Sequence, residues 1–133
     1  DTIRLVAEAG FLYDSSMMAD DSPYELMTDG NPTGLIELPV DWIRDDAVYL
    51  LYNRTPPTRP TLSANDVAQV FLDELDGARA EGGLCQLVMH PFVIGYRSRI
   101  AILDKVLSHA RASGDVWIAT HAEIARHCAK ALT

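Results

Sequence analysis

His90 is the residue best placed to do chemistry in this sequence. It closes the apolar part of Gly83 to Arg99, GLCQLVMHPFVIGYRSR, where Leu84 to Met89 is interrupted only by Gln86. Gly82-Gly83 breaks the chain before the run. Pro91, which has no N–H to give a ladder, follows the histidine. The pattern predicts a buried strand that delivers an imidazole where a loop begins, a place where α/β enzymes put working groups. An imidazole can move a proton near neutral pH, but it serves as well as a hydrogen-bonded structural group. A second cluster, Asp41-Trp42 with Asp45-Asp46, follows the apolar stretch Leu35 to Val40. An acid beside a large aromatic is held in place and partly desolvated, which raises its pKa unless a donor or cation opposes it. Trp42 is then a pocket wall or part of the core. Asp14, with Ser15 and Ser16, ends an earlier short strand. These three side chains either satisfy a turn's backbone donors or support the site from behind.

Two other chemistries fit less well. A catalytic zinc takes three protein ligands and keeps an open position. The four histidines, His90, His109, His121 and His127, show no close pair with metal spacing. Tight metal binding by this chain alone is therefore not expected. A Ser-His-Asp hydrolase built on Ser15 or Ser16 lacks a Gly-x-Ser-x-Gly elbow.

The elements that must position these groups alternate between helix and strand. Ile3, Leu5, Val6 and Ala9 share a helical face that Gly10 ends, and Phe11 to Asp14 is a short strand. Met17 to Thr33, with Asp20-Asp21, Pro23, Asp29-Gly30 and Pro32, reads as a long binding-type loop. Leu35 to Val40 is the next strand. Asp46 to Tyr52 is a short helix or irregular strand, and the prolines at 56, 57 and 60 make Asn53 to Thr61 an extended or turning connector. Ser63, with Asp66 three residues on, caps a helix whose stripe is Val67, Val70, Phe71, Leu75 and Ala78. Asp73, Glu74 and Asp76 read as its solvated face. After the His90 strand come a helix on Ile100, Leu103, Val106, Leu107 and Ala110, ended by Gly114, and a strand over Val116 to Ala119. Thr120 and Glu123 then form a capping box opening a last helix toward Lys130. This alternation predicts an α/β fold with a mainly parallel sheet.

Composition narrows the function classes. The 133 residues are 48% hydrophobic and 23% charged, a globular balance with room for a real core. A formal net charge of −8 argues against a general nucleic-acid or anionic-membrane surface. No apolar run spans a bilayer, and no signal-like stretch is present, so a cytoplasmic location is expected. Cys85 and Cys128 are expected to be buried free thiols rather than a disulfide framework.

The words themselves carry a resemblance. HPFVIGYRSRIAILDKVLSHARASGDVWIATHAEIARH resembles the C-terminal part of the polysaccharide deacetylase (NodB-type) family, in the branch with allantoinase-like and peptidoglycan deacetylase-like enzymes. FLYDSSMMADDSPYEL and LIELPVDWIRDD resemble two earlier stretches of that branch, in the expected order and spacing. The likeness covers most of the chain and is weakest over Tyr49 to Ala64. It implies one domain over residues 1–133, the C-terminal part of a distorted (β/α) barrel.

The family's metal-binding Asp and His-x-x-x-His segments, and its Arg-Pro segment, normally lie upstream of anything seen here. The resemblance therefore implies an incomplete enzyme, inactive alone, whose divalent metal (zinc first in line) would be held elsewhere. The implied reaction is hydrolysis of a non-peptide carbon–nitrogen bond in an N-acetyl sugar or a small amide. In that reaction a metal-bound water attacks, an Asp is the base and a histidine on the opposite side protonates the leaving nitrogen. By resemblance His90 is that histidine; its anionic partner comes from the Asp41 to Asp46 region, with Asp41 the catalytic candidate and Asp45 and Asp46 in support. Arg99 matches an arginine that follows the family's histidine-proline segment, and it either forms a structural salt bridge or binds an acidic group. A non-catalytic ligand-binding module, or a structural fragment that self-associates through open sheet edges as a homo-oligomer, is the alternative.

Overall fold

The computed structural model describes residues 2–131. In chain order its first elements are α1 (Thr2–Glu8), β1 (Tyr13–Asp14), β2 (Tyr24–Thr28), β3 (Asn31–Glu37), a 3-10 turn (Trp42–Arg44) and α2 (Asp46–Leu50). Then follow β4 (Asn53–Arg54), β5 (Pro57–Thr58), α3 (Ala64–Glu81), α4 (Pro91–Ile94), α5 (Ile100–Ser113) and α6 (His121–Ala131). Contacts sort the chain into two compact units. One is the described residues up to Val40 with those from Ile118 on, and the other is Asp41–Trp117.

In the first unit β3 lies between β1, to which it is parallel, and β2, to which it is antiparallel. The loop expected over Met17 to Thr33 is instead largely a hairpin, and β3 begins earlier than Leu35. Asp29 and Gly30 both have positive φ, 52° and 78°, and Thr28 pairs with Asn31 across them. A two-residue turn of this hand matches strand twist, and Asp-Gly is its usual chemistry. That dipeptide was the available signal; Pro32 and Gly34 nearby obscured it. Leu35, Ile36, Glu37 and Leu38 are all buried in succession, so both faces of the strand are covered. Both α1 and α6 pack against it. The Thr120–Glu123 capping box forms as expected, with Thr120 N–H donating to Glu123 Oε2 at 2.8 Å and Glu123 N–H to Thr120 Oγ1 at 3.3 Å.

The second unit is built on helices. The buried core joins Leu50 of α2, Val67, Ala68, Phe71 and Leu75 of α3, Val93 and Ile94 of α4, and Ile102, Val106 and Ala110 of α5. Val67, Phe71 and Leu75 recur every fourth residue, as do Ile102, Val106 and Ala110, so α3 and α5 each present one face. The α5 stripe begins at Ile102, which is not in the expected stripe, while Ile100 and Leu107 are exposed. The capping box of α3 is complete, with Ser63 and Asp66 bonded reciprocally, and Gly82 ends the helix in the left-handed conformation.

Leu84 to Met89 runs extended but forms no ladder; its one pairing is a parallel bridge between Val88 and Asp45. Val116 to Ala119 likewise has no strand partner among the described residues. The only parallel strand pair among them is β1 with β3. Cys85 and Cys128 are free and half-buried. No helix among the described residues is long and apolar enough to cross a membrane.

Candidate active site

One small bridge positions the site. Val88 N–H donates to Arg44 O at 2.8 Å, and Asp46 N–H donates to Val88 O at 3.1 Å. This pins the start of α2 beside the extended run that ends at His90. Asp45 is the N-cap of α2, its Oδ1 accepting from Ala47 N–H at 2.7 Å. Asp46, the first helical residue, therefore points its carboxylate at the His90 backbone. His90 N–H reaches both Asp46 oxygens at 3.1 Å. Pro91 opens α4, and His90 is its N-cap with extended backbone.

The imidazole completes the pair. His90 Nδ1 lies 2.7 Å from Asp46 Oδ1 and 3.7 Å from Asp45 Oδ1. The side chain of Asp46 is fully buried, that of Asp45 is 15% exposed and that of His90 is 34% exposed. With a carboxylate at Nδ1, that nitrogen carries the proton and Nε2 is left for chemistry. The hydrogen bond to Asp46 raises the His90 pKa above its usual value, the charges of Asp45 and Asp46 add to this, and desolvation opposes it. The Phe92 ring stands edge-on to the imidazole, 5.5 Å between centroids, and is largely exposed.

The other expected site residues fall elsewhere. Asp41, the expected catalytic acid, instead caps its own 3-10 turn, its Oδ1 accepting from Ile43 N–H at 3.0 Å, and the acid bonded to the imidazole is Asp46. Trp42 is 62% exposed, which suits a wall and not a core. Arg99 forms no ion pair among the described residues. Its Nη1 donates to Val93 O at 2.9 Å, and its guanidinium lies 5.0 Å from the Tyr96 ring centroid, so it ties down the end of α4. Asp14 belongs to the first unit, where its carboxylate accepts from Ser16 Oγ; Ser15 Oγ donates to Leu38 O at 2.8 Å.

Sequence reasoning missed Arg44. It is buried and meets Glu74 of α3 at 3.4 Å, so Glu74 is not a purely solvated residue. Asp76, also read as solvated, bonds Arg79 at 2.7 Å and His109 at 2.8 Å. Nothing in the local pattern around Arg44 marks a partner thirty residues on.

Asp45, Asp46 and His90 are also the one group among the described residues whose donor atoms, all within 4.8 Å, could surround a cation. Their bonding does not fit that use. Both Asp46 oxygens already accept from His90 N–H, Asp45 Oδ1 accepts from Ala47 N–H, and Nδ1 is committed to Asp46. An ion held through Nδ1 would have to displace its proton and the bond to Asp46. The arrangement is that of a buried acid orienting a histidine.

Comparison with known proteins bears on the fold of the chain. No family model matches the chain. The peptidoglycan deacetylase of Helicobacter pylori (strain ATCC 700392 / 26695) is 24% identical over 149 aligned positions, covering 93% of this chain and 51% of that protein. A polysaccharide deacetylase structure from Mycobacterium smegmatis superposes with a TM-score of 0.81 at 35% identity, covering 95% of this chain and 44% of that one. The Puue allantoinase structure gives 0.75 at 30% identity, covering 95% and 41%. A polysaccharide deacetylase structure from Pseudomonas aeruginosa PAO1 gives 0.75 at 29% identity, covering 95% and 42%. The chain thus spans about half the length of the curated relative it matches. The fold is the α/β fold of these enzymes over that span.

Proposed function

We infer that this chain, which belongs to the polysaccharide deacetylase (NodB-type) family over the part of the fold it spans, supplies the proton-donating half of an amide hydrolase site. The observation that carries the reading is the fully buried Asp46 carboxylate 2.7 Å from His90 Nδ1. Asp46 holds the imidazole in one tautomer and favours its charged form, with Asp45 adding charge from 3.7 Å. Nε2–H then donates to the leaving nitrogen of an N-acetyl sugar or related amide as the carbon–nitrogen bond breaks. The same cation stabilises negative charge on a tetrahedral intermediate. Exposed Trp42 and Phe92 are the flanking surfaces for substrate. Arg99 positions the His90 turn through Val93.

A divalent metal, zinc by family resemblance, would activate the attacking water when bound. The described residues of this chain do not supply its ligand set, so we assign it to the part of the related fold that these 133 residues do not span. By the same reasoning the chain alone is inactive. A peptidoglycan substrate would place the chain outside the cytoplasm, whereas an allantoin-like ring or formamide would keep it inside. A second reading, self-association, draws on the sheet order, in which β1 and β2 each have one side unpaired among the described residues. Light scattering across a concentration series tests it, and a constant monomer mass ends it.

The function is tested by acetate release from an N-acetylglucosamine oligomer and by loss of a cyclic ureide, with zinc present. The chain would be assayed alone and joined to the upstream half of a solved relative. Activity in the joined protein that His90→Ala abolishes is the expected result. Hydrolysis indifferent to His90→Ala, or no hydrolysis of any amide by the joined protein, overturns it. Zinc retained by the chain alone at about one ion per molecule would overturn the assignment of the metal to other residues.

A further inference from the structure

The first unit holds a second buried acid that the chemistry at His90 does not use. Glu37 ends β3 and is fully buried. In the register of the sheet it sits opposite Asp14 on β1 and opposite Tyr24 on β2, so three ionisable residues form one row across three strands. Its Oε1 accepts from Ser16 N–H and Met17 N–H, both at 3.0 Å. Its Oε2 is buried and no donor reaches it. The Glu37 carboxyl is nevertheless in hydrogen-bonding contact with the Asp14 carboxyl. Two carboxylates cannot share such a contact while both are ionised, because neither has a hydrogen to give and the charges repel.

The row itself, Asp14, Glu37 and Tyr24, contains no cationic side chain. On β1 the facing group is Asp14, whose other bond comes from Ser16 Oγ. On β2 it is Tyr24, which also feels Asp20. On α1, Arg4 and Glu8 pair with each other at 2.9 Å on an exposed face. On α6, His121 lies against Tyr13 at 5.3 Å and Glu123 caps its own helix, while Arg126, His127, Cys128 and Lys130 follow along it. The strongest influence on Glu37 is burial, which favours the neutral acid; the Met17 N–H opposes it, Asp14 favours the neutral acid again, and the Ser16 N–H opposes, with the net direction upward.

We propose that Glu37 is held as a neutral acid whose Oε2–H donates to the Asp14 carboxylate, so that β1 and β3 share one proton and the sheet loosens when it leaves. The proton accounts for the otherwise unused Oε2. It also gives the two-residue strand β1 a side-chain tie to β3 beyond its short ladder. The folded state binds a proton that the unfolded chain releases above the ordinary glutamate pKa, so stability falls as pH rises from there until the folded pKa is passed.

Infrared difference spectra of the full chain against Glu37→Gln, with Asp14→Asn as a second variant, test this directly. The expected result is a neutral carboxylic-acid carbonyl band at neutral pH that is absent in Glu37→Gln. Hydrogen exchange then reads the sheet. Protection at β3 amides in the wild type should fall by up to about tenfold per pH unit through the window. It should hold level in Glu37→Gln, whose amide donates at any pH. Absence of the acid band at neutral pH, or an equal pH slope in both proteins, overturns the proposal. If Glu37→Gln does not fold, the wild-type band decides, with Asp14→Asn as reference.

Discussion

Replacing Asp46 with asparagine removes the charge behind His90 and nearly keeps the side chain's shape. Asp46 takes three contacts from His90, two from the backbone N–H at 3.1 Å and one from Nδ1 at 2.7 Å. The amide oxygen of asparagine can keep one backbone bond, so the main loss is the charge-assisted bond to the ring. A hydrogen bond to a charged group contributes about 1.5–3 kcal/mol. The ring is 34% exposed, and solvent screening brings this to about 1–2 kcal/mol.

The sign follows from linkage. Because the folded pKa of His90 is raised, its contribution is fully present below the unfolded value of about 6.5 and lost as pH rises through the folded value. Asp46→Asn should therefore cost about 1–2 kcal/mol in urea unfolding near pH 6, and less once the pH has passed the folded value and the ring is neutral. The His90 ring resonances should titrate at lower pH in the variant. Equal costs at both pH values, or an unchanged titration, would show that the imidazole does not depend on Asp46 and would refute the reasoning about its charge.

Other outcomes follow from the same contacts. In a joined protein that hydrolyses an amide, His90→Ala should lower kcat/KM by about 10²–10⁴-fold, the usual contribution of a positioned acid, with KM little changed. Arg99→Ala removes the bond to Val93 O and the stack on Tyr96, and faster exchange at α4 amides should report a loss of about 1–2 kcal/mol. Phe71→Ala opens the centre of the helical core and should cost about 3–5 kcal/mol by denaturant titration. Gly30→Ala forces a side chain onto a residue with φ of 78° and should cost about 1 kcal/mol, read from the melting of the first unit.

Much of this protein was legible because it is local. Ser63 with Asp66, Thr120 with Glu123, and the glycines at 82 and 114 set helix ends through bonds within a few residues, so the sequence alone placed those helices. The four-residue recurrence in α3 likewise showed its buried face. His90 stood out for the same reason: an apolar run, an imidazole and a proline are adjacent in sequence. What the sequence could not settle was which acid meets the imidazole, since Asp41, Asp45 and Asp46 lie within six positions and look alike. The tertiary bridge between Val88 and the Arg44–Asp46 segment settles the geometry: it turns Asp46 toward His90 and leaves Asp41 to cap its own turn. Glu37 was invisible in the same way, as one acid in LIELP whose burial depends on strands whose paired residues, Tyr24 and Asp14, lie well upstream in the chain. Capping and periodicity are short-range and are written in order along the chain. The partners of buried charges are chosen by packing between distant segments, and only the folded structure brings those together.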